Sequence, residues 1–293
     1  IRVSIIEKAL NKSVAQRLPV SKLTGGTLDA EADEDFEPAY ERHPSFNDTL
    51  PLVKLDFAKM ESQGLLPSED HAMRLREEYR RIKWPLLDVA LNRTSHELEN
   101  SNLIMVTSSI PGEGKTFCTI NLALSMARQK QCTVLLVDAD TAKPKISRLL
   151  GLDEKPGLSE LLEDPGTVLT DVMHRTSVDR LFIVPAGVAT QDSPELMAGG
   201  RMRALVRELA QLPRGHIVIF DTAPLLANNE AQVMSRLVGQ VAFVIRADTT
   251  PRVAVREAIS LVNKKAALGV ILNQTTTGFG AKYYGDYYSY GRD

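Results

Sequence analysis

An open α/β sheet, mostly parallel and covered by helices on both faces, is the fold this 293-residue chain predicts. Three observations predict it. Short apolar runs alternate with segments of helical spacing, which calls for right-handed crossovers and a parallel sheet. A glycine turn, Ser108-Ser109-Ile110-Pro111-Gly112-Glu113-Gly114-Lys115-Thr116, joins the run Leu103, Ile104, Met105, Val106 to a helix. Two later runs end in acids, Asp138-Ala139-Asp140 and Asp221, at the strand ends where open α/β sheets bind ligands.

Composition sets the bounds. A hydrophobic share of 43% and a charged share of 25% suit a soluble chain with a sizeable core. The net charge of −2 gives no general attraction for nucleic acid, so no nucleic-acid partner is expected, with a local basic patch left open. The two cysteines, Cys118 and Cys132, read as reduced thiols, not as a disulfide or a metal site. No apolar run approaches the roughly 20 residues of a spanning helix, and no secretory signal is expected at the start. The expected location is therefore cytoplasmic, with any membrane role exercised through a partner.

Three regions are expected: an N-terminal arm (1–48), a nucleotide-binding domain (49–278) and a tail (279–293). The arm opens with an amphipathic pattern from Ile1 to about Arg17, with Val3, Ile6 and Leu10 on one face. That pattern reads as a docking or surface-lying helix, or as a frayed terminus. Gly25-Gly26 and the cluster Asp29, Glu31, Asp33, Glu34, Asp35 and Glu37 read as a flexible linker. Order is expected to return near Leu50. A helix is expected from about Ser68 to Asn92, capped by Ser68 and kinked or ended at Pro85. In it Glu77, Arg80 and Lys83 recur every three residues, as a solvated stripe or an oligomer contact made of ion pairs.

Beyond the glycine turn, Thr133–Val137 and Leu181–Val184 read as strands, with short helices through Ile146–Leu150 and Leu158–Leu162 between them. Ser193–Leu212 reads as a helix with Pro194 in its first turn, weakened at Gly199-Gly200. His216–Asp221 is a strand ending in an acid. Val241–Ile245 ends at Arg246, Pro251–Ala267 is a helix, and Val270–Leu272 ends at Asn273. In the tail Tyr283, Tyr284, Tyr287, Tyr288 and Tyr290 fall among glycines with no aliphatic partners, so a mobile tail is expected, as a phosphate acceptor, a self-association segment or a tacky end.

The chemistry is carried by the loop and the acids. Gly112 and Gly114 let successive backbone N–H groups and the positive end of the following helix face an anion. Lys115 reaches the outer phosphates and Thr116 is a Mg²⁺ ligand. The nucleotide-binding set is Ser109, Pro111, Gly112, Glu113, Gly114, Lys115, Thr116 and Phe117, with Ser109 standing where the pattern usually opens with glycine. Arg246 and Asn273 are added at the same sheet edge, where Asn273 is placed to hydrogen-bond a base. If the strand continues past it, Asp138 projects on the same side as Asp140, toward one metal or one nucleophile. The alternative is a pair of helix caps ahead of Pro144. Asp221 has the Walker B form and is expected to hold the Mg²⁺ through water or to order the attacking group.

With these elements located, the sequence resembles the bacterial tyrosine kinases, the P-loop autokinases of exopolysaccharide and capsule synthesis. The resemblance runs from about Glu77 to the C-terminus and implies a P-loop NTPase-type doubly wound sheet. It implies ATP and Mg²⁺ as cofactors, Lys115, Asp138, Asp140 and Asp221 as the catalytic set, and Thr116 and the same three aspartates as the metal set. It further implies that Asp138 activates a tyrosine hydroxyl and that the tail tyrosines are phosphorylated in trans within a ring-like homo-oligomer. Glu77, Arg80 and Lys83 correspond to the family's interface helix, with Lys83 in place of arginine. The partners implied are a membrane adaptor of the chain-length-determinant type and a protein tyrosine phosphatase, which puts the chain at the inner face of the plasma membrane. Ala142 stands where the family's second Walker motif usually has arginine, and Asp-Ala-Asp-Thr-Ala-Lys-Pro resembles the subgroup of exosortase-linked loci. Two alternatives remain: a MinD/ParA-like ATPase switch, whose signature lysine is replaced by Ile110, and a nucleotide-binding regulator without catalysis.

Overall fold

The computed structural model describes residues 2–5, 43–91, 98–188 and 193–275. The linker, the rest of the amphipathic N-terminal pattern and the five tail tyrosines lie outside the described residues. Nine strands form one sheet: β1 (Arg2–Ile5), β2 (Leu52–Val53), β3 (Leu103–Ser108), β4 (Thr133–Asp138), β5 (His174–Thr176), β6 (Leu181–Val184), β7 (His216–Asp221), β8 (Gln240–Arg246) and β9 (Ala267–Thr275). Their order is β1-β9-β8-β3-β7-β4-β6-β5-β2. The six central strands are parallel, and the antiparallel pairs, β1 with β9 and β5 with β6, lie toward the edges. Residues 2–5 are therefore an edge strand, not the first turn of the expected helix.

Burial on both faces explains why the central strands read as continuous apolar runs. Successive side chains alternate between two cores. Ile104, Val106, Val134, Leu136, Ile217 and Ile219 pack on one side with α2 (Glu69–Ala90) and α3 (Lys115–Ala127). Leu103, Met105, Leu135, Val137, Val218 and Phe220 pack on the other, against α8 (Gly200–Ala210) and its neighbours. The helix expected over 193–212 is broken in two, α7 (Ser193–Ala198) and α8, with Gly199 as the N-cap of the second. The helix expected to reach Ala267 ends at Leu261, since Val262 is extended and Ala267 already pairs with Gln240 in β9.

Two expectations about α2 are corrected. The helix does not end at Pro85 but continues through it to Ala90. An interior proline costs about 3 kcal/mol, and here Ile82, Leu86 and Leu87, all buried on either side of it, hold the helix in place. Lys83 does not share a stripe with Glu77. Steps of three residues lag by about 60° each on a helix of about 100° per residue, which turns position 83 well away from position 77. Lys83 is 7% exposed. Its Nζ donates to the Ser125 carbonyl (3.0 Å) and to Gln129 Oε1 (3.2 Å), at the C-terminal end of α3, where a cation is favoured. Glu77 stays outside, paired with Arg80 at 2.9 Å and Arg81 at 3.6 Å.

The core also reaches back before residue 49. Phe46 is 1% exposed and meets the ring of Phe182 edge-on at 5.0 Å. Phe46→Ala is expected to destabilise the chain by about 3–5 kcal/mol, read as a lowered urea midpoint, whereas a dispensable arm residue would leave the midpoint in place.

Candidate nucleotide-binding site

β3 ends at Ser108 and α3 begins at Lys115, so the glycine turn spans a strand end and a helix N-terminus. Gly112 (φ +90°) and Gly114 (φ +89°) both take the left-handed conformation. At Gly114 there is a second constraint, because a Cβ there would lie 2.0 Å from Asn273 Nδ2. Asn273, at the end of β9, is 1% exposed. Its Nδ2 donates to the Glu113 carbonyl (2.9 Å) and its Oδ1 accepts from the Gln274 N–H (2.9 Å). Asn273 thus braces the loop from beneath and also lines the pocket beside it.

Glu113 is likewise a strut. It is 2% exposed. Its Oε2 accepts from the Ile110 N–H (2.7 Å) and its Oε1 from Thr250 Oγ1. Thr250 in turn accepts from the Arg246 N–H at 3.2 Å, while the Arg246 side chain stays exposed. Pro111 and Gly112 form the exposed outside of the loop, Ser109 is fully buried, and Phe117 packs into the core on the α3 side.

The acids meet at the carboxyl ends of β4 and β7, which are adjacent and parallel with Asp138 opposite Asp221 in register. Asp221 Oδ2 accepts from Thr116 Oγ1 (2.7 Å), and its Oδ1 is contacted by Thr119 Oγ1 (2.8 Å). Lys115 Nζ pairs with Asp140 Oδ2 at 3.1 Å, with both side chains nearly buried. Asp138 Oδ2 accepts from both the N–H (2.9 Å) and Oγ (2.8 Å) of Ser147, in α4 (Lys145–Leu150). Its Oδ1 is buried without a hydrogen bond. The expectation that Asp138 and Asp140 face one metal together is corrected: the strand ends at Asp138, and the two carboxylates serve different partners. Burial first, and then the Asp221 charge, push the Asp138 carboxyl up to about 7. Asp221 is also raised by burial, against the opposing pull of Lys115.

Thr119 and Ser147 are site residues that the sequence reading missed. Thr119 carries a signal, since it lies three residues after Thr116 on the same helix and so on nearly the same face. Ser147 carries none, because nine residues and a turn separate it from Asp138.

Among the described residues no group of three or more histidine, cysteine or acidic side chains is arranged to hold a metal by itself. The Thr116–Asp221 contact nevertheless fits a Mg²⁺ that takes its remaining ligands from phosphate and water, as this ion does when bound with a nucleotide. The glycine cradle, Lys115 and the N-terminus of a 13-residue helix fit the phosphates. Beside the loop opens a pocket of about 180 Å³.

These features define a P-loop NTPase, and comparison with known proteins agrees. Residues 99–277 match the profile of the ParA family, described as NUBPL iron-transfer P-loop NTPase, and the chain belongs to that family. Within it the chain groups with the bacterial tyrosine-protein kinases. It is 28% identical over 200 residues to tyrosine-protein kinase YwqD of Bacillus subtilis, covering 67% of this chain and 80% of YwqD. It is 30% identical over 195 residues to tyrosine-protein kinase Wzc of Salmonella typhimurium, covering 65% of this chain but only 26% of Wzc, so it spans about a quarter of that longer relative. The solved kinase domain of Escherichia coli tyrosine kinase ETK superposes with a TM-score of 0.57, at 28% identity over 74% of this chain and 80% of that one.

Two outcomes follow from the geometry. Gly114→Ala puts a Cβ against Asn273 in a conformation costing L-residues about 1–2 kcal/mol; a lowered melting temperature and lost ADP binding are expected, checked by thermal melts and calorimetric titration. Asp138 holds a proton in the folded chain that the unfolded chain releases near 3.8, so its burial subtracts stability as pH rises from there to about 7. Asp138→Asn should therefore melt higher than the parent by a margin that grows to several degrees between pH 5 and pH 8, measured without nucleotide.

Proposed function

We propose that the chain is an ATP-dependent protein-tyrosine autokinase that phosphorylates its C-terminal tyrosine cluster in trans. The observation that carries this reading is the meeting of Lys115, Thr116, Asp138, Asp140 and Asp221 at one sheet edge. The names of its relatives support it. Lys115 would exchange Asp140 for the outer phosphates, and the Thr116 hydroxyl and Asp221 would hold Mg²⁺, which would neutralise charge on the phosphates. The phenol oxygen of Tyr283, Tyr284, Tyr287, Tyr288 or Tyr290 from a neighbouring subunit bonds to the γ-phosphorus. The bond from that phosphorus to the β–γ bridging oxygen breaks and ADP leaves. The phenol proton passes to Asp138 Oδ1, the buried carboxylate oxygen with no hydrogen bond in the structure. Ser147, bonded to the other oxygen, fixes the direction in which Oδ1 points.

The exposed Glu77 and Arg80 are the part of α2 available to a ring-like homo-oligomer. The wider reading follows the relatives: control of exopolysaccharide polymerisation or export, with a membrane adaptor of the chain-length-determinant type and a tyrosine phosphatase as partners. No helix among the described residues is long and apolar enough to cross a membrane, which fits attachment through such an adaptor. The family match to ParA favours one competing reading, an ATPase switch that transfers no phosphate to protein.

Lys115→Met is expected to abolish ATP-dependent tyrosine labelling, read by anti-phosphotyrosine blot. Replacing all five tail tyrosines by phenylalanine should remove the acceptor and keep ATP binding. Steady ATP hydrolysis with no phosphotyrosine in the parent chain would instead establish the switch.

A further inference from the structure

The pocket beside the loop is walled by Gly114, Lys115 and Thr116 on one side and by Gly64, Leu65 and Lys145 on another. No carboxylate lines it. Asp138, Asp140 and Asp221 are all absent from its wall, while Lys115 and Thr116, which contact Asp140 and Asp221, belong to it. Of its two lysines, Lys115 is already engaged by Asp140 at 3.1 Å. Lys145 is exposed and has no hydrogen bond or ion pair among the described residues. Two ammonium groups, the N-terminus of α3 and no acid make the pocket selective for an anion longer than the loop alone can cover. Its apolar side, where Leu65 and Phe117 sit, is held in place by the Asn121 side chain, whose Nδ2 donates to the Leu65 and Phe117 carbonyls.

We propose that Lys145 is a nucleotide-binding residue, whose ammonium grips the diphosphate common to ATP and ADP from the wall of the pocket beside the loop. The inference rests on the nucleotide reading of the loop and not on phosphoryl transfer. An ammonium on a flexible stem is a point-charge phosphate ligand that needs no fixed angle, which suits an exposed position on a pocket wall. Because the diphosphate is shared, Lys145 acts on ATP and ADP alike.

The test is calorimetric titration of the full chain and its variants with ADP and with ATP, in Mg²⁺ and at fixed salt. Lys145→Ala should weaken both nucleotides by the same factor, about three- to tenfold, and Lys145→Arg should stay within about twofold of the parent because the charge is kept. The exposed side chain makes misfolding of either variant easy to exclude by its melting temperature. Equal affinities for Lys145→Ala and the parent would overturn the inference. So would weakened ATP with unchanged ADP, which would place Lys145 at the transferred phosphate. Failure of the parent chain to bind either nucleotide would overturn the reading of the loop itself, and this inference with it.

Discussion

Asp138 and Asp221 stand side by side at the ends of adjacent buried strands, Asp140 lies two residues further on, and one lysine pairs with Asp140 and acts electrostatically on Asp221. Three carboxylates cannot all stay ionised cheaply in so dry a place, and the structure answers each one differently. Asp140 takes the Lys115 ammonium. Asp221 is surrounded by the hydroxyls of Thr116 and Thr119. Asp138, with one oxygen on Ser147 and the other bare, is raised to about 7 and so can both take up and release a proton near neutrality. The site is therefore set to accept a cation and a polyanion together, since either one alone leaves the charge unbalanced.

The glycine turn can meet that edge only because it is held from behind. Glu113 ties its own turn to Thr250, and Asn273 ties Glu113 to β9. The brace comes from the opposite side of β3 to the acids, from β9 and from the segment after β8. Gly114 is the point where this brace and the loop come too close for any side chain. Loop rigidity here comes from the loop's own Glu113, which also holds the Ile110 N–H, together with Thr250 and Asn273 from outside it.

Much of this was legible in the chain. The parallel sheet was readable because strands buried on both faces, such as Thr133–Asp138, are apolar without interruption, and the loop was readable because glycines between a strand and a helix have few other uses. The break at Gly199-Gly200 was readable for the same reason. The partners were not. Lys83 looks like a member of a charged stripe until helix geometry turns it onto the end of α3. Pro85 looks like a stop until the packing of Ile82, Leu86 and Leu87 outweighs it. Arg2–Ile5 has the spacing of a helix, yet an open strand edge on β9 claims it.

The sequence by itself determined the strand–helix alternation, the phosphate loop and the presence of acids at strand ends, because each depends on residues within a few positions of one another. Only the tertiary structure decided what each acid does. Register sets Asp138 against Asp221, a serine nine residues away orients Asp138, and Asn273 braces the loop from the end of β9. Those outcomes depend on contacts between segments up to 160 residues apart, as between Asn273 and Glu113, and no local pattern records which distant side chain will arrive.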